Sequence, residues 1–342
     1  MNVPCLITAA CIVLGSGVSG ADDHWSLAVP GKTLHVSGKM LDPMNVSGLA
    51  SAGMGQLVFA CDELKHEAQA GRLDPEKMEI IMDENPIILL TGLKKELDLE
   101  DAAADPEHHC YYVCGSCSVS RKTGQAAPNR QWLFRIGTHP QTGLMLPDKV
   151  TKVSLAGALR TDAILAAHLD KSAADLGIDV EGIAFKDGRL WFGLRSPNVN
   201  DRGLVLAVPA DDIMAGKPVV FQCFELPLGH DLGIRSIATI RDGFLLIAGP
   251  TGALESDKGG FSLCYWAGNA DPPVRVGGLP RPPRTTGGKD GKGKPEGLLV
   301  MSESNNRIGL IVVSDDAENG APTLYEVTRP PPRNGNRIPE KE

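Results

Sequence analysis

The stretch "DVEGIAFKDGRLWFGLRSP", residues 179–197, holds two apolar runs, Ile183-Ala184-Phe185 and Leu190-Trp191-Phe192, around Lys186-Asp187-Gly188-Arg189. An Asp-Gly step between two such runs is a strong signal for a tight β-hairpin. Glu181 stands just before the first run and Arg195 just after the second. Antiparallel pairing sets the start of one strand beside the end of the other. The acid and the base are therefore expected on one edge of the sheet, away from the turn.

Copies of this hairpin run through the chain. The pattern of a polar residue, a small one, then apolar and small ones occurs as "VSGLA" at Ser47, "LEDAA" at Glu100, "VEGIA" at Glu181, "IRSIA" at Arg235 and "PEGLL" at Glu296. The spacings between those residues are 53, 81, 54 and 61. Each copy precedes a second apolar run: "QLVFACDE", "CYYVCGSC", "RLWFGLRS", "FLLIAGPT" and "RIGLIVVSDD". Third strands are read in "QWLFRIG", "GLVLAVPA", "FSLCYWA" and "TLYEVT", and fourth strands in "IILLTGL", "VVFQCFEL" and "VRVGGL". Four short strands in each unit of roughly 50 residues mark an all-β chain of the β-propeller type. Five blades are expected, with six as the alternative. The fifth unit shows three strands only, and "KTLHVSGKM" (Lys32 to Met40) is placed as the strand that closes the ring. A sandwich of irregular strands would not explain five matched hairpins.

The long second spacing accommodates a short helical insertion around residues 154–176, with Thr161-Asp162 as a helix start and Gly177 as a stop. The propeller is read over residues 32–329. "RPPRTTGGKDGKGK" (Arg281 to Lys294) reads as a flexible basic loop. The tail from residue 330 to 342 is almost without apolar residues and reads as disordered. The apolar run "CLITAACIVLG", followed by small residues, reads as a signal peptide over residues 1–21, and hence as export to a periplasm or the extracellular space. Without that segment six cysteines remain, too few for a disulfide framework in about 320 residues.

Composition narrows the function. The 39 Gly and 25 Pro among 342 residues fit a turn-rich fold. A formal charge of -8 argues against a nucleic-acid-binding face, which needs clustered Lys and Arg. No second apolar run is long enough for a membrane span, and a monomer is expected. "GSGVSG" (Gly15 to Gly20) fits a dinucleotide-binding fingerprint but lies in the leader. "GKDGKGKP" (Gly288 to Pro295) departs from a phosphate loop, because Pro295 stands where a Ser or Thr would hold magnesium. "HHCYYVCGSC" (His108 to Cys117) has ligand-type residues without zinc spacing, since Cys110 and Cys114 would lie roughly 13 Å apart on a strand.

With these stretches in view, "DLEDAAADPEHHCYYVCGSCS", "NRQWLFRIG", "DVEGIAFKDGRLWFGLRSP", "GIRSIATIRDGFLLIAGPTG" and "KPEGLLV" resemble the domain of unknown function 3616 family. The resemblance runs from about residue 40 to residue 328. It implies an exported bacterial propeller without an established reaction. A weaker similarity, through the acid-Gly-apolar-Ala step, reaches the esterase-like and phytase-like propellers.

Propeller geometry brings one residue set to one face. Each first strand begins there and each second strand ends there. The face is expected to hold Ser47 with Asp62 and Glu63, Glu100 with Ser116, Glu181 with Arg195, Arg235 with Thr251, and Glu296 with Asp315. Glu100, Glu181, Arg235 and Glu296 should converge at the channel mouth. Glu100, Glu181 and Glu296 are the catalytic candidates, and with Asp315 they form an oxygen-ligand set suited to Ca²⁺. Arg195, Arg235, Arg130, Asp62, Glu63 and Thr251 are the candidate ligand-binding residues, the arginines being suited to bidentate grip of a carboxylate or phosphate. Two functions follow. One is non-catalytic binding of a small anionic molecule, a glycan or a partner protein. The other is calcium-assisted hydrolysis of phosphoesters or other small esters, with the arginines stabilising the oxyanion. A structural ring of ion pairs between blades is the plainer account of the same residues.

Overall fold

In the Asp179–Pro197 stretch, Asp187 and Gly188 both take positive φ, 51° and 72°, and Lys186 pairs with Arg189 across a two-residue turn. Two successive left-handed residues match the twist of the flanking strands, which is why the Asp-Gly step sits there. The hairpin it makes is the inner half of one blade. The structure is a computed structural model, and it describes residues 24–120, 122–252, 260–283 and 292–330. The expected signal peptide, the body of the Arg281–Lys294 loop and the expected tail beyond residue 330 lie outside the described residues.

The strands form five separate blades, antiparallel throughout except where β2 joins β6. Strand β1 (Ser26–Thr33) belongs to the last blade, and β2 (His35–Ser37) begins the first. The first blade continues with β3 (Val46–Ala50), β4 (Gln56–Cys61), β5 (Glu67–Asp74), β6 (Glu79–Met82) and the two-residue β7 (Ile87–Ile88). The second is β8 (Leu99–Asp105), β9 (Cys110–Gly115), β10 (Trp132–Thr138) and β11 (Met145–Ser154). The third is β12 (Asp179–Lys186), β13 (Arg189–Val199), β14 (Arg202–Pro209) and β15 (Gln222–Pro227). The fourth is β16 (Leu232–Ile240), β17 (Gly243–Pro250), β18 (Phe261–Trp266) and β19 (Val274–Leu279). The fifth is β20 (Lys294–Glu303), β21 (Arg307–Asp315) and β22 (Thr323–Thr328), completed by β1.

The ring closes through β1 pairing antiparallel with β22, from Ser26 opposite Thr328 to Thr33 opposite Thr323. Closure thus uses Ser26–Thr33 rather than Lys32–Met40. His35–Ser37 instead pairs parallel with β6 in the first blade. "IILLTGL" also differs from expectation. Only Ile87–Ile88 is strand, pairing with β5, and the outer strands of that blade come from the polar β5–β6 hairpin. Its apolar run, Ile80-Ile81-Met82, is only three residues long, with Ile80 and Met82 buried.

The apolar residues fall into five clusters, one at each junction between blades. Val58 and Phe134 join the first and second blades, and Phe192 joins the third to the second beside Leu133. Trp191 and Trp266 join the third and fourth, Leu263 and Val327 the fourth and fifth, and Val313 and Phe59 close the circle. No blade can bury both of its faces alone, so the ring is one cooperative core. The insertion contributes α1 (Leu155–Leu159) and α2 (Ala163–Ala166), whose leucines cap the junction of the second and third blades. Asp162 caps α2, its Oδ1 accepting from the Ile164 and Leu165 amides at 2.9 and 3.2 Å.

Candidate functional site at the channel mouth

Each inner strand carries the same irregularity. The ladder slips by one residue at Ser47 in β3, Glu100 in β8, Glu181 in β12, Arg235 in β16 and Glu296 in β20. A bulge leaves its extra residue outside the pairing and re-aims that side chain. Five bulges at matching heights deliver five side chains to one end of the channel. The inner strands pack in a closed circle, β3 on β8, β8 on β12, β12 on β16, β16 on β20 and β20 on β3.

Glu181 is the hub of this ring. Arg195 Nη1 lies 2.5 Å from its Oε1, and Arg235 Nε lies 2.8 Å from its Oε2. Arg195 also pairs with Asp179, and Arg235 pairs with Glu296 across the next junction. Arg235 Nη1 donates further to the Pro250 carbonyl at 3.3 Å. All of these side chains are at most 8% exposed. Burial works against the charge on Arg195, but Asp179, Glu181 and Glu100 raise its pKa. At Arg235 burial prevails and lowers it, Glu181 opposing and Arg195 assisting.

Glu100 is different. Its carboxylate makes no hydrogen bond or ion pair with any described residue, yet it stands in a group with Asp179 and Glu181 whose ligand atoms all lie within 4.8 Å of one another. Burial, and then Glu181, Asp98, Asp179 and Asp62, push its pKa well above the usual carboxylate range. Around Glu100, Asp179, Glu181 and Glu296 the ion-pairing arginines are Arg195 and Arg235, with Arg130 acting on Glu100 from farther off. The surplus is negative. Calcium–oxygen distances of about 2.4 Å let donors up to roughly 4.8 Å apart share one ion. The three acids therefore fit a hard cation. The fifth bulge residue, Ser47, is 2% exposed, and its hydroxyl has no hydrogen-bond partner among the described residues.

The remaining candidates lie around this centre. Asp315 is held by Lys294 at 2.8 Å, and Lys294 also reaches Asp316 at 3.1 Å, so Asp315 stands apart from the three-acid group. Glu296 is committed to Arg235. Arg130 pairs with Glu96 at 2.9 Å and Asp98 at 3.1 Å, and Ser116 donates to Asp98. Asp62 has a buried Oδ1 without a partner among the described residues, and burial, then Asp315, Asp98, Asp42 and Glu63, push its pKa up to about 8. Glu63 is exposed, and Thr251 lies beyond β17 with its amide on the Asp231 carbonyl at 2.9 Å.

Sequence reasoning missed Asp179 and Asp101. Asp179 sits two residues before Glu181, and strand alternation could have placed both on one side. Asp101 belongs to the layer just below the bulges, where the other blades carry Gly48, Gly182, Ser236 and Gly297. Its Oδ2 accepts from Ser236 Oγ at 2.8 Å and from the Ile183 amide at 3.3 Å, and its Oδ1 from the Ala102 amide at 2.8 Å. One carboxyl thus bolts the second, third and fourth blades together. A Cβ on Gly48 would lie 2.4 Å from Asp101 Oδ1, so the glycine makes room for the bolt. Four small residues around one acid was the legible signal.

These features define a five-bladed β-propeller with an acid-rich channel mouth. The chain belongs to the family described as "Protein of unknown function (DUF3616)", whose model matches residues 135–323, more than half of it. No curated protein matches it. Among solved structures it is similar to a GH43 endo-arabinanase from Bacillus licheniformis, at 11% identity, covering 86% of this chain and 96% of that one, with a TM-score of 0.43. It is also similar to an exo-β-1,3-galactanase from Phanerochaete chrysosporium, at 10% identity, covering 88% and 64%, with a TM-score of 0.47. The WD40 propeller domain of Doa1 shares 12% identity over 90% and 97%, with a TM-score of 0.36.

Proposed function

We propose that the channel mouth is a divalent-cation site that recruits a small anionic ligand through the bound ion, with Ca²⁺ the best-suited metal. The observation that carries this reading is Glu100, an unpaired carboxylate grouped with Asp179 and Glu181 within 4.8 Å. Direct grip of an anion by Arg195 and Arg235 is disfavoured, because both guanidiniums already hold carboxylates. A cation reverses that balance. It neutralises the acid surplus and offers open coordination positions to phosphate, carboxylate or sugar oxygens. Export, as expected from the N-terminal run, would expose the mouth to a calcium-containing medium. Hydrolysis would also need a base free to take a proton from water, and the nearest carboxylates are the ones the ion requires.

The test is calorimetric titration of chelator-treated protein with CaCl₂, then with inorganic phosphate in the presence and absence of calcium. Calcium binding that Glu100→Gln weakens at least tenfold, and phosphate binding that needs calcium, are the expected results. Failure of the parent protein to bind calcium, or undiminished binding by Glu100→Gln, would overturn the proposal.

A further inference from the structure

Below the Asp101 bolt the channel changes character. The residues two to four places after each bulge line a cavity of about 230 Å³ with no charged side chain in its wall. Small residues open it, among them Ala102, Ala103, Ala184 and Ala238, with Phe185 and Thr239 nearer the lower rim. The Thr239 hydroxyl is spent on the Phe185 carbonyl at 2.8 Å, which leaves Ser51 as the other hydroxyl on a mostly apolar wall. The bolt closes the upper end, where the inner strands approach closely through Gly48, Gly182 and Gly297.

The lower rim carries both signs: beside wall residue Pro106 stand Asp105, held by His108 at 2.7 Å, and exposed Glu107, and across from them stand two cations. Lys186 and Arg241 follow the wall residues Phe185 and Thr239 by one and two positions. Lys186 Nζ is held over this rim by the carbonyls of Ile240 and Arg241, both at 3.0 Å. Arg241 Nη1 meets the Asn305 amide oxygen at 2.9 Å. Neither side chain has a carboxylate partner among the described residues. The nearby acid Glu303 is occupied by Arg329 and by the Arg241 backbone amide at 3.0 Å.

A mostly apolar chamber beside two cations without a carboxylate partner among the described residues has the polarity of an amphipathic anion. We infer that the lower channel binds an unbranched medium-chain carboxylate, its alkyl tail in the chamber and its head at Lys186 and Arg241. An apolar cavity of 150 Å³ takes benzene, so this chamber holds roughly eight carbons. The site is separate from the cation centre and does not rest on it.

The experiment titrates the whole protein with sodium butanoate, hexanoate, octanoate and decanoate, and with 1-octanol. Affinity should rise about fourfold per methylene up to roughly eight carbons and then level off. Octanoate should bind at least tenfold tighter than 1-octanol, and Lys186→Ala should abolish that preference while leaving 1-octanol unchanged. Ala238→Leu and Ala103→Leu, on different walls, should each weaken octanoate at least tenfold, circular dichroism reporting the fold. If one fails to fold, the other and Lys186→Ala decide. Affinity independent of chain length, equal binding of acid and alcohol, or a folded filled-cavity variant that binds like the parent would overturn the inference.

Discussion

Arg195 and Glu181 meet at 2.5 Å, although they stand on opposite sides of the Asp187-Gly188 turn and belong to different strands of one hairpin. Val180 pairs with Leu194; the slip before it, to Asp179 with Ser196, leaves Arg195 outside the ladder, and the slip after it, to Gly182 with Gly193, leaves Glu181 outside and turns it toward the channel. Arg195 also holds Asp179, so its removal takes the arginine from buried Asp179 and one of two arginines from buried Glu181. Arg195→Ala should therefore cost about 3–5 kcal/mol in urea unfolding. Millimolar calcium should recover part of that loss, because the ion takes over the neutralisation. A variant as stable as the parent in chelator would show that the pair is not integral to the ring.

The hairpin repeat, the blade number and the convergence of Glu100, Glu181, Arg235 and Glu296 were legible because inner strands obey a fixed pattern of polar, small and apolar positions. The outer strands were not. The β5–β6 hairpin, "EAQAGRLD" and "EIIM", offers only the short apolar run Ile80-Ile81-Met82, and β5 mixes its small residues with polar ones. Which residues pair at the mouth was also hidden. Glu296 and Glu100 look alike in sequence, but Arg235 reaches Glu296 and leaves Glu100 free. That choice depends on the direction of a long side chain across a blade junction.

Calcium affinity should depend on pH through Glu100. Its carboxyl titrates well above the usual range, burial being the main cause and Glu181 the next. The ion needs the deprotonated form, so binding displaces a proton. Affinity should climb as pH rises, by up to tenfold per pH unit for one displaced proton. Titrations in two buffers of different ionisation enthalpy would count that proton. A pH-independent affinity would remove Glu100 from the ligand set.

Asp101 should respond differently to its two simplest substitutions. Burial pushes its pKa well up, against the amides of Ala102, Ile183 and Ile237 and the Ser236 hydroxyl. Asp101→Asn keeps an acceptor in place and should cost less than about 1.5 kcal/mol. Asp101→Ala strands buried donors from two other blades and should cost about 2–4 kcal/mol. Chemical denaturation separates the two, and equal losses would mean that the carboxyl does not bolt the blades.

Asp62 gives the metal-free protein a stability that falls with rising pH. Its pKa is about 8 in the fold against 3.8 ordinarily, burial being the largest cause and Asp315 the next. Between those values the folded chain keeps a proton that the unfolded chain has released. Stability from this group is thus full below about pH 4, declines toward pH 8 and is level above it. Its slope is at most about 1.4 kcal/mol per pH unit. Asp62→Asn removes the titration, so in chelator its melting temperature should change less between pH 5 and pH 8 than that of the parent. At pH 8 the variant should also be the more stable of the two, since it no longer places a charge beside Asp315 and Asp98. Parallel melting curves for the two proteins across this range would show that Asp62 does not set the loss of stability with rising pH.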